Sequence, residues 1–131
     1  MEYITFFKAI INFISLSNLG LMAFAMTLGI VVGVLPGLSA TLGIALLTGI
    51  TYSYTKTTAM VIMIGLYIGA IYAGSLSAIL INIPGTGSAA ATCLDGYPMA
   101  KQGKATDAII TARIASFIGS IVGLVCFIII T

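Results

Sequence analysis

Apolar residues run almost unbroken through residues 19–35, 57–81 and 114–130 of this chain. Each stretch is close to the length that crosses, or nearly crosses, a hydrocarbon core of about 30 Å. Ahead of them the pattern differs. Tyr3, Phe6, Phe7, Ile10, Ile11 and Ile14 recur at helical spacing, with Lys8, Asn12 and Ser15 largely elsewhere around the helix, so residues 1–17 predict an interfacial amphipathic helix. Ala23-Phe24-Ala25 has the small-x-small form of a signal-peptide cleavage site. Glu2 offsets Lys8, however, and Asn12, Ser15, Ser17 and Asn18 interrupt the apolar core such a peptide needs, so the segment is expected to remain.

Residues 19–50 as one straight helix would measure about 48 Å and overshoot the membrane. Pro36 lacks an N–H and clashes with the preceding turn, and Gly37 tolerates unusual dihedrals. A break is therefore predicted there, giving a span over 19–35 and a second, re-entrant or crossing helix over 38–50. Tyr52, Tyr54 and Lys56 mark a water interface. Residues 57–82 predict a single span, stopped by Ile83-Pro84-Gly85-Thr86-Gly87, and residues 88–94 a half-helix with Thr86 or Ser88 as its cap. Asp95-Gly96 and Tyr97-Pro98 read as turns that open a polar loop over 95–107, and the last span covers 108–131. Lys101 and Lys104 are the densest positive cluster beside a span, which places that loop in the cytoplasm, with Arg113 snorkelling back to the same surface. The fold class is thus all-α and integral to the membrane: one multi-span helical bundle whose helices are broken at Pro-Gly.

Composition narrows the function classes. The chain is 60% hydrophobic and 6% charged, with mean hydropathy +1.23, whereas a soluble domain carries about four times that fraction of charge. A net charge of +2 gives no reason to expect a nucleic-acid partner. With no His, and with Cys93 and Cys126 in apolar or small-residue surroundings, no metal site, cofactor or disulfide framework is indicated. An intramembrane enzyme is disfavoured on the same grounds: a Ser-His pair has no His, and an aspartyl pair has only Asp95 near the membrane. Gly29, Gly33 and Gly37, Gly65 and Gly69, and Gly119 and Gly123 are spaced by four, which predicts faces where helices pack closely.

The candidate chemistry lies at the two Pro-Gly segments. A helix broken inside hydrocarbon frees N–H and C=O groups, so the break has to be covered by protein or line a wet cavity. The candidate binding residues are Pro36, Gly37, Ser39 and Thr41 at the first break, and Asn82, Pro84, Gly85, Thr86, Gly87 and Ser88 at the second. A half-helix starting there directs N–H groups and the positive end of its dipole at the cavity, which suits a carboxylate. In the opposite sense, freed carbonyls suit a coupling cation. Asn82 reads equally as a helix-terminal amide or a substrate contact, and Asp95 as an interfacial turn or cap. Tyr67 and Tyr72 read as aromatic packing in preference to a cavity-facing role.

The pattern Gly29-x-x-x-Gly33-x-x-Pro36-Gly37-Leu38 is followed by Asn82-Ile83-Pro84-Gly85-Thr86-Gly87-Ser88-Ala89-Ala90-Ala91-Thr92-Cys93-Leu94-Asp95-Gly96-Tyr97-Pro98-Met99-Ala100-Lys101-x-Gly103. Together they resemble the large permease subunit of the tripartite tricarboxylate transporters. The resemblance covers the chain from residue 19 onward and the N-terminal part of a family subunit that has many more spans. It implies a secondary transporter of the bacterial inner (cytoplasmic) membrane that takes up citrate or related carboxylates, driven by an H+ or Na+ gradient. It also implies a periplasmic solute-binding protein and a small membrane subunit as partners. Two departures bear on the substrate: Gly37-Leu38-Ser39 stands where the family often has Gly-Leu-Gly, and Asn82-Ile83-Pro84-Gly85 where it often has Asn-Thr-Pro-Gly. Residues 127–131 carry no aromatic belt or polar flank, which leads to the expectation of a truncated reading frame or a piece of a larger permease. A simple channel, and a non-transporting membrane fragment with an assembly role only, stay open as alternatives.

Overall fold

The computed structural model describes residues 14–35 and 37–130, so most of the predicted interfacial helix over 1–17, together with Pro36, lies outside the described residues. Five α-helices follow one another among the described residues: α1 (Leu16–Val34), α2 (Ala40–Thr51), α3 (Lys56–Ile81), α4 (Ala90–Lys101) and α5 (Ala105–Ile130), with a 3-10 turn (Gly87–Ala89) ahead of α4. The first three start in the same way, with a hydroxyl accepting from an N–H of the first turn: Ser15 from Asn18, Ser39 from Leu42 and Thr55 from Thr58, at 3.3, 3.3 and 3.4 Å. Helices α1, α3 and α5 are long and apolar enough to cross a membrane, and no strand occurs among the described residues.

Helix α3 is the axis of the bundle. Val61, Leu66 and Ile79 are its fully buried large side chains, and Gly65, Gly69, Ala70, Ala73, Gly74, Ser77 and Ala78 give it a buried face of small residues. Helix α1 packs on that face backbone to backbone. An added Cβ at Gly29 would strike the Leu66 carbonyl, and one at Gly33 the backbone of Ala70. From the other side, one at Gly65 would lie 2.8 Å from the Met22 carbonyl, and one at Gly69 would strike that of Met26. The spacings of four in the two helices therefore meet each other, and the close approach supplies dispersion contact where lipid offers no hydrophobic drive. Gly119 and Gly123 of α5 have nothing within 4 Å of an added Cβ.

The pairing also fixes direction. Met22 meets Gly65 and Gly33 meets Ala70, so α1 and α3 run parallel, and at the start of both Thr58 Oγ1 donates to Asn18 Oδ1 at 3.4 Å. Parallel neighbours need a return, and α2 supplies it. Its Gly43 lies against Leu66 and Val32, and its end, Ile50 and Thr51, shares a small hollow with Leu21 and Phe24.

The region after α3 departs from the turns expected at Asp95-Gly96 and Tyr97-Pro98: α4 runs through all four residues. Gly96 sits against Ile79, where an added Cβ would lie 2.8 Å from Cγ1, and this packing holds the helix where local signals alone read as a turn. The helix ends at Gly103, which has φ +78. Lys104 N–H donates to the Met99 carbonyl and Gly103 N–H to that of Ala100, both at 3.0 Å, which is a Schellman closure. The polar connection is thereby reduced from the expected 95–107 to residues 102–104, and α5 starts at once and returns antiparallel to α3.

Candidate functional site

Both Pro-Gly segments converge on one level of the bundle. The first lies between the end of α1 at Val34 and the start of α2 at Ala40, with Gly37 in left-handed backbone at φ +95 and Leu38 N–H bonded to the Leu35 carbonyl at 3.2 Å. Glycine meets that dihedral without the Cβ penalty other residues incur. Pro36 lies outside the described residues. Ser39 Oγ accepts from Leu42 N–H as the α2 cap and keeps its own proton to donate, while Thr41 is exposed.

The second segment doubles back. Helix α3 closes at Ile81 on Asn82, which has φ 59 and takes the C-terminal position usually given to Gly or Asn. The chain then folds along α3 as far as Gly74, about 10 Å short of the helix end at 1.5 Å per residue. There Gly85 N–H donates to the Gly74 carbonyl at 3.4 Å, and the same oxygen accepts from buried Ser77 Oγ at 3.0 Å. Gly85 is wedged between two other glycines: an added Cβ would strike the Gly33 carbonyl of α1 and lie 2.8 Å from the Gly74 Cα. Thr86 is buried against Gly74, and its Oγ1 lies 3.1 Å from Ser88 Oγ. Neither hydroxyl caps α4, contrary to the expectation for Thr86 or Ser88. The turn is 3-10, with the Ala89 N–H taken by the Thr86 carbonyl at 3.0 Å, and the Thr86 side chain is committed to packing.

Of the candidate residues, Gly85 and Thr86 are buried in the junction, whereas Asn82, Pro84, Gly87 and Ser88 are exposed around it. Gly33 lies one helical turn before Gly37, so the second segment touches α1 immediately below the first. Gly33, Gly74 and Ser77 carry this arrangement and were not among the candidates. Gly33 was visible as part of a packing face, while Gly74 and Ser77 acquire a role only through contact with Gly85 and Thr86, residues well apart from them in sequence. Lys101 and Lys104 are exposed at the α4–α5 corner, with the Lys101 ammonium 4.9 Å from the centre of the Tyr97 ring. Arg113 does not turn to that corner: its guanidinium donates to the Tyr72 hydroxyl and lies 5.1 Å from the centre of that ring. Among the described residues no group of three or more His, Cys, Asp or Glu is placed to hold a metal ion.

Residues 19–131 match the model of the tripartite tricarboxylate transporter TctA family. An uncharacterized 52.8 kDa protein of Agrobacterium vitis, from the TAR-I ttuC' 3' region, is 49% identical over 90 residues. That match takes in 69% of this chain and 18% of the relative, so the chain spans a small part of the relative's length. No solved structure matches. A family match over most of the chain, on a helical bundle with three membrane-length helices, makes this a multi-pass membrane protein that belongs to the tripartite tricarboxylate transporter TctA family, a family of transporters and not of enzymes.

Proposed function

We propose that this chain forms part of the carboxylate path of a permease in the bacterial inner membrane, with the two Pro-Gly segments as its binding elements. The observation that carries the reading is the junction of Gly33, Gly74 and Gly85. It brings a doubled-back, Pro-containing strand of backbone against the turn that precedes the first break, at a depth where irregular backbone persists only when protein or a solute cavity satisfies it. Ser39, Thr41 and Ser88 lie in or beside the two segments, and Asn82 stands about 10 Å further along at the end of α3; all are neutral polar groups, which favour an anion without fixing a permanent countercharge. Thr86 and Gly87 set the backbone between them.

In this reading the solute is a citrate-like tricarboxylate or a related carboxylate, and uptake is coupled to H+ or Na+ and fed by a periplasmic solute-binding protein, with a small membrane subunit alongside. Family membership supports each of these, and the scarcity of fixed charge at the junction fits a site that must release its anion as well as bind it. The test is uptake by cells expressing the transporter that contains this chain. Gly85→Leu, and separately Pro36-Gly37→Ala-Leu, should abolish binding-protein-dependent carboxylate uptake while the protein still inserts in the membrane, since Leu favours insertion. Because a side chain at Gly85 meets the Gly33 carbonyl, the melting temperature of that variant is read alongside. Ser88→Ala should lower uptake several-fold, on the order of one neutral hydrogen bond, about 1 kcal/mol. Uptake at the wild-type rate in both break-filling variants would reduce the segments to kinks and leave the assembly role as the better account.

A further inference from the structure

On a different face of α3 from the Gly74 junction, and at nearly the same depth, a groove of about 360 Å³ runs between α3 and α5. Its polar lining is Tyr67, Tyr72 and Ser75 from α3, and Arg113, Ser116 and Ser120 from α5, set in a wall of isoleucine and leucine. Arg113 stands about 13 Å along α5 from Lys104 at 1.5 Å per residue, within the membrane-length helix α5 and directly ahead of the apolar run over 114–130. A guanidinium at such a position is costly unless it meets an anion or other acceptors. No carboxylate pairs with Arg113 among the described residues: its contacts are the hydroxyl and the ring of Tyr72.

We propose that this groove is an oxyanion site in which Arg113 and Tyr72 together hold a carboxylate or phosphate. The donor count supports it. Tyr72 uses its oxygen to accept from Arg113, so the phenolic proton remains to be donated, and only one edge of the five-donor guanidinium is engaged. Ser116, one turn further along α5, lines the same groove. Ser75 and Ser120 contribute less, because their hydroxyls donate to the carbonyls of Ile71 and Ser116, at 3.2 and 2.7 Å. The groove is of a size that takes a small polyanion. The chemistry is shared by two sources, a dissolved carboxylate and the headgroup of an acidic phospholipid. The choice of citrate as the soluble probe rests on the proposed function, while the site itself does not.

The test uses the purified chain in nanodiscs of phosphatidylcholine, titrated with radiolabelled citrate and with uncharged triethyl citrate. A parallel set of nanodiscs contains phosphatidylglycerol and no citrate, and is read by melting temperature. If the solute is the occupant, citrate binds, the ester does not, and Arg113→Gln weakens citrate at least about tenfold, as expected for a lost charge-assisted pair. Tyr72→Phe should weaken it several-fold, and Arg113→Lys should fall between, because it keeps the charge without the planar fork. If a lipid is the occupant, phosphatidylglycerol raises the melting temperature of the wild type and not of Arg113→Gln or Tyr72→Phe. Should Arg113→Gln fail to fold, Tyr72→Phe and Arg113→Lys decide the matter by the same readouts. The proposal is overturned if neither probe responds to these substitutions, in which case the pair only pins α5 to α3. Citrate bound equally by wild type and Arg113→Gln, with no Arg113-dependent response to phosphatidylglycerol, would overturn it while leaving the carboxylate reading of the Pro-Gly junction intact.

Discussion

Gly69 lies on the carbonyl of Met26, so a side chain there has no room that a rotamer change would open; one of the two helices has to move. Overpacking of that kind costs about 1–3 kcal/mol. Gly69→Leu should therefore lower the melting temperature of the purified protein in detergent, while Gly119→Leu, with nothing near its added Cβ, should leave it unchanged. Equal effects would show that intrinsic helix propensity, and not the α1–α3 contact, sets stability. Asn82 poses a different question at the same scale. Its left-handed backbone suits glycine better than any branched residue, so Asn82→Gly should preserve stability and Asn82→Val should cost about 1–2 kcal/mol. If the amide also meets the solute, Asn82→Gly lowers carboxylate uptake with the melting temperature intact; unchanged uptake would leave Asn82 as a helix terminus alone.

Among the elements, the corner between α4 and α5 depends on one residue with positive φ and two backbone bonds. Gly103→Val puts a β-branched side chain at φ +78 and should destabilise the corner by more than about 1 kcal/mol, whereas Gly103→Asn should be nearly neutral. Thermal unfolding of both variants checks this. The same region shows why some elements were legible in the sequence and others were not. Three apolar runs of membrane length announce themselves by composition, and spacings of four announce close packing. Asp95-Gly96 and Tyr97-Pro98 carry genuine turn signals, yet Gly96 has a partner in Ile79, and that contact outweighs local preference. Pro and Gly mark where a break is to be expected. That the second one doubles back to Gly74 and Gly33 could not be read from them, because a spacing shows that a face is small without showing which other face it will meet.

For the whole molecule, the decisive relation is that α1 and α3 are parallel. Helix α2 has to carry the chain from the Gly33 level back to the Leu21 level, which puts residues 52–55 at the end of the bundle where α1 begins. Helix α3 then crosses in the same sense as α1, and α4 leaves its junction in that sense too, from Thr86 beside Gly74 to Gly96 beside Ile79. Lys101 and Lys104 are thus at the opposite end from Lys56. A bias of Lys and Arg toward the cytoplasm assigns the end with the denser cluster to the inside, and so residues 52–55 to the outside. With Cys93 and Cys126 first replaced by Ser, a cysteine placed at Ser53 should react with an impermeant maleimide added to intact cells, and one placed at Gln102 should react only after lysis. Reversed labelling would keep the parallel arrangement and invert the protein in the membrane. Labelling of both from the outside would contradict the parallel packing of α1 and α3, and with it the convergence of the two Pro-Gly segments on one level.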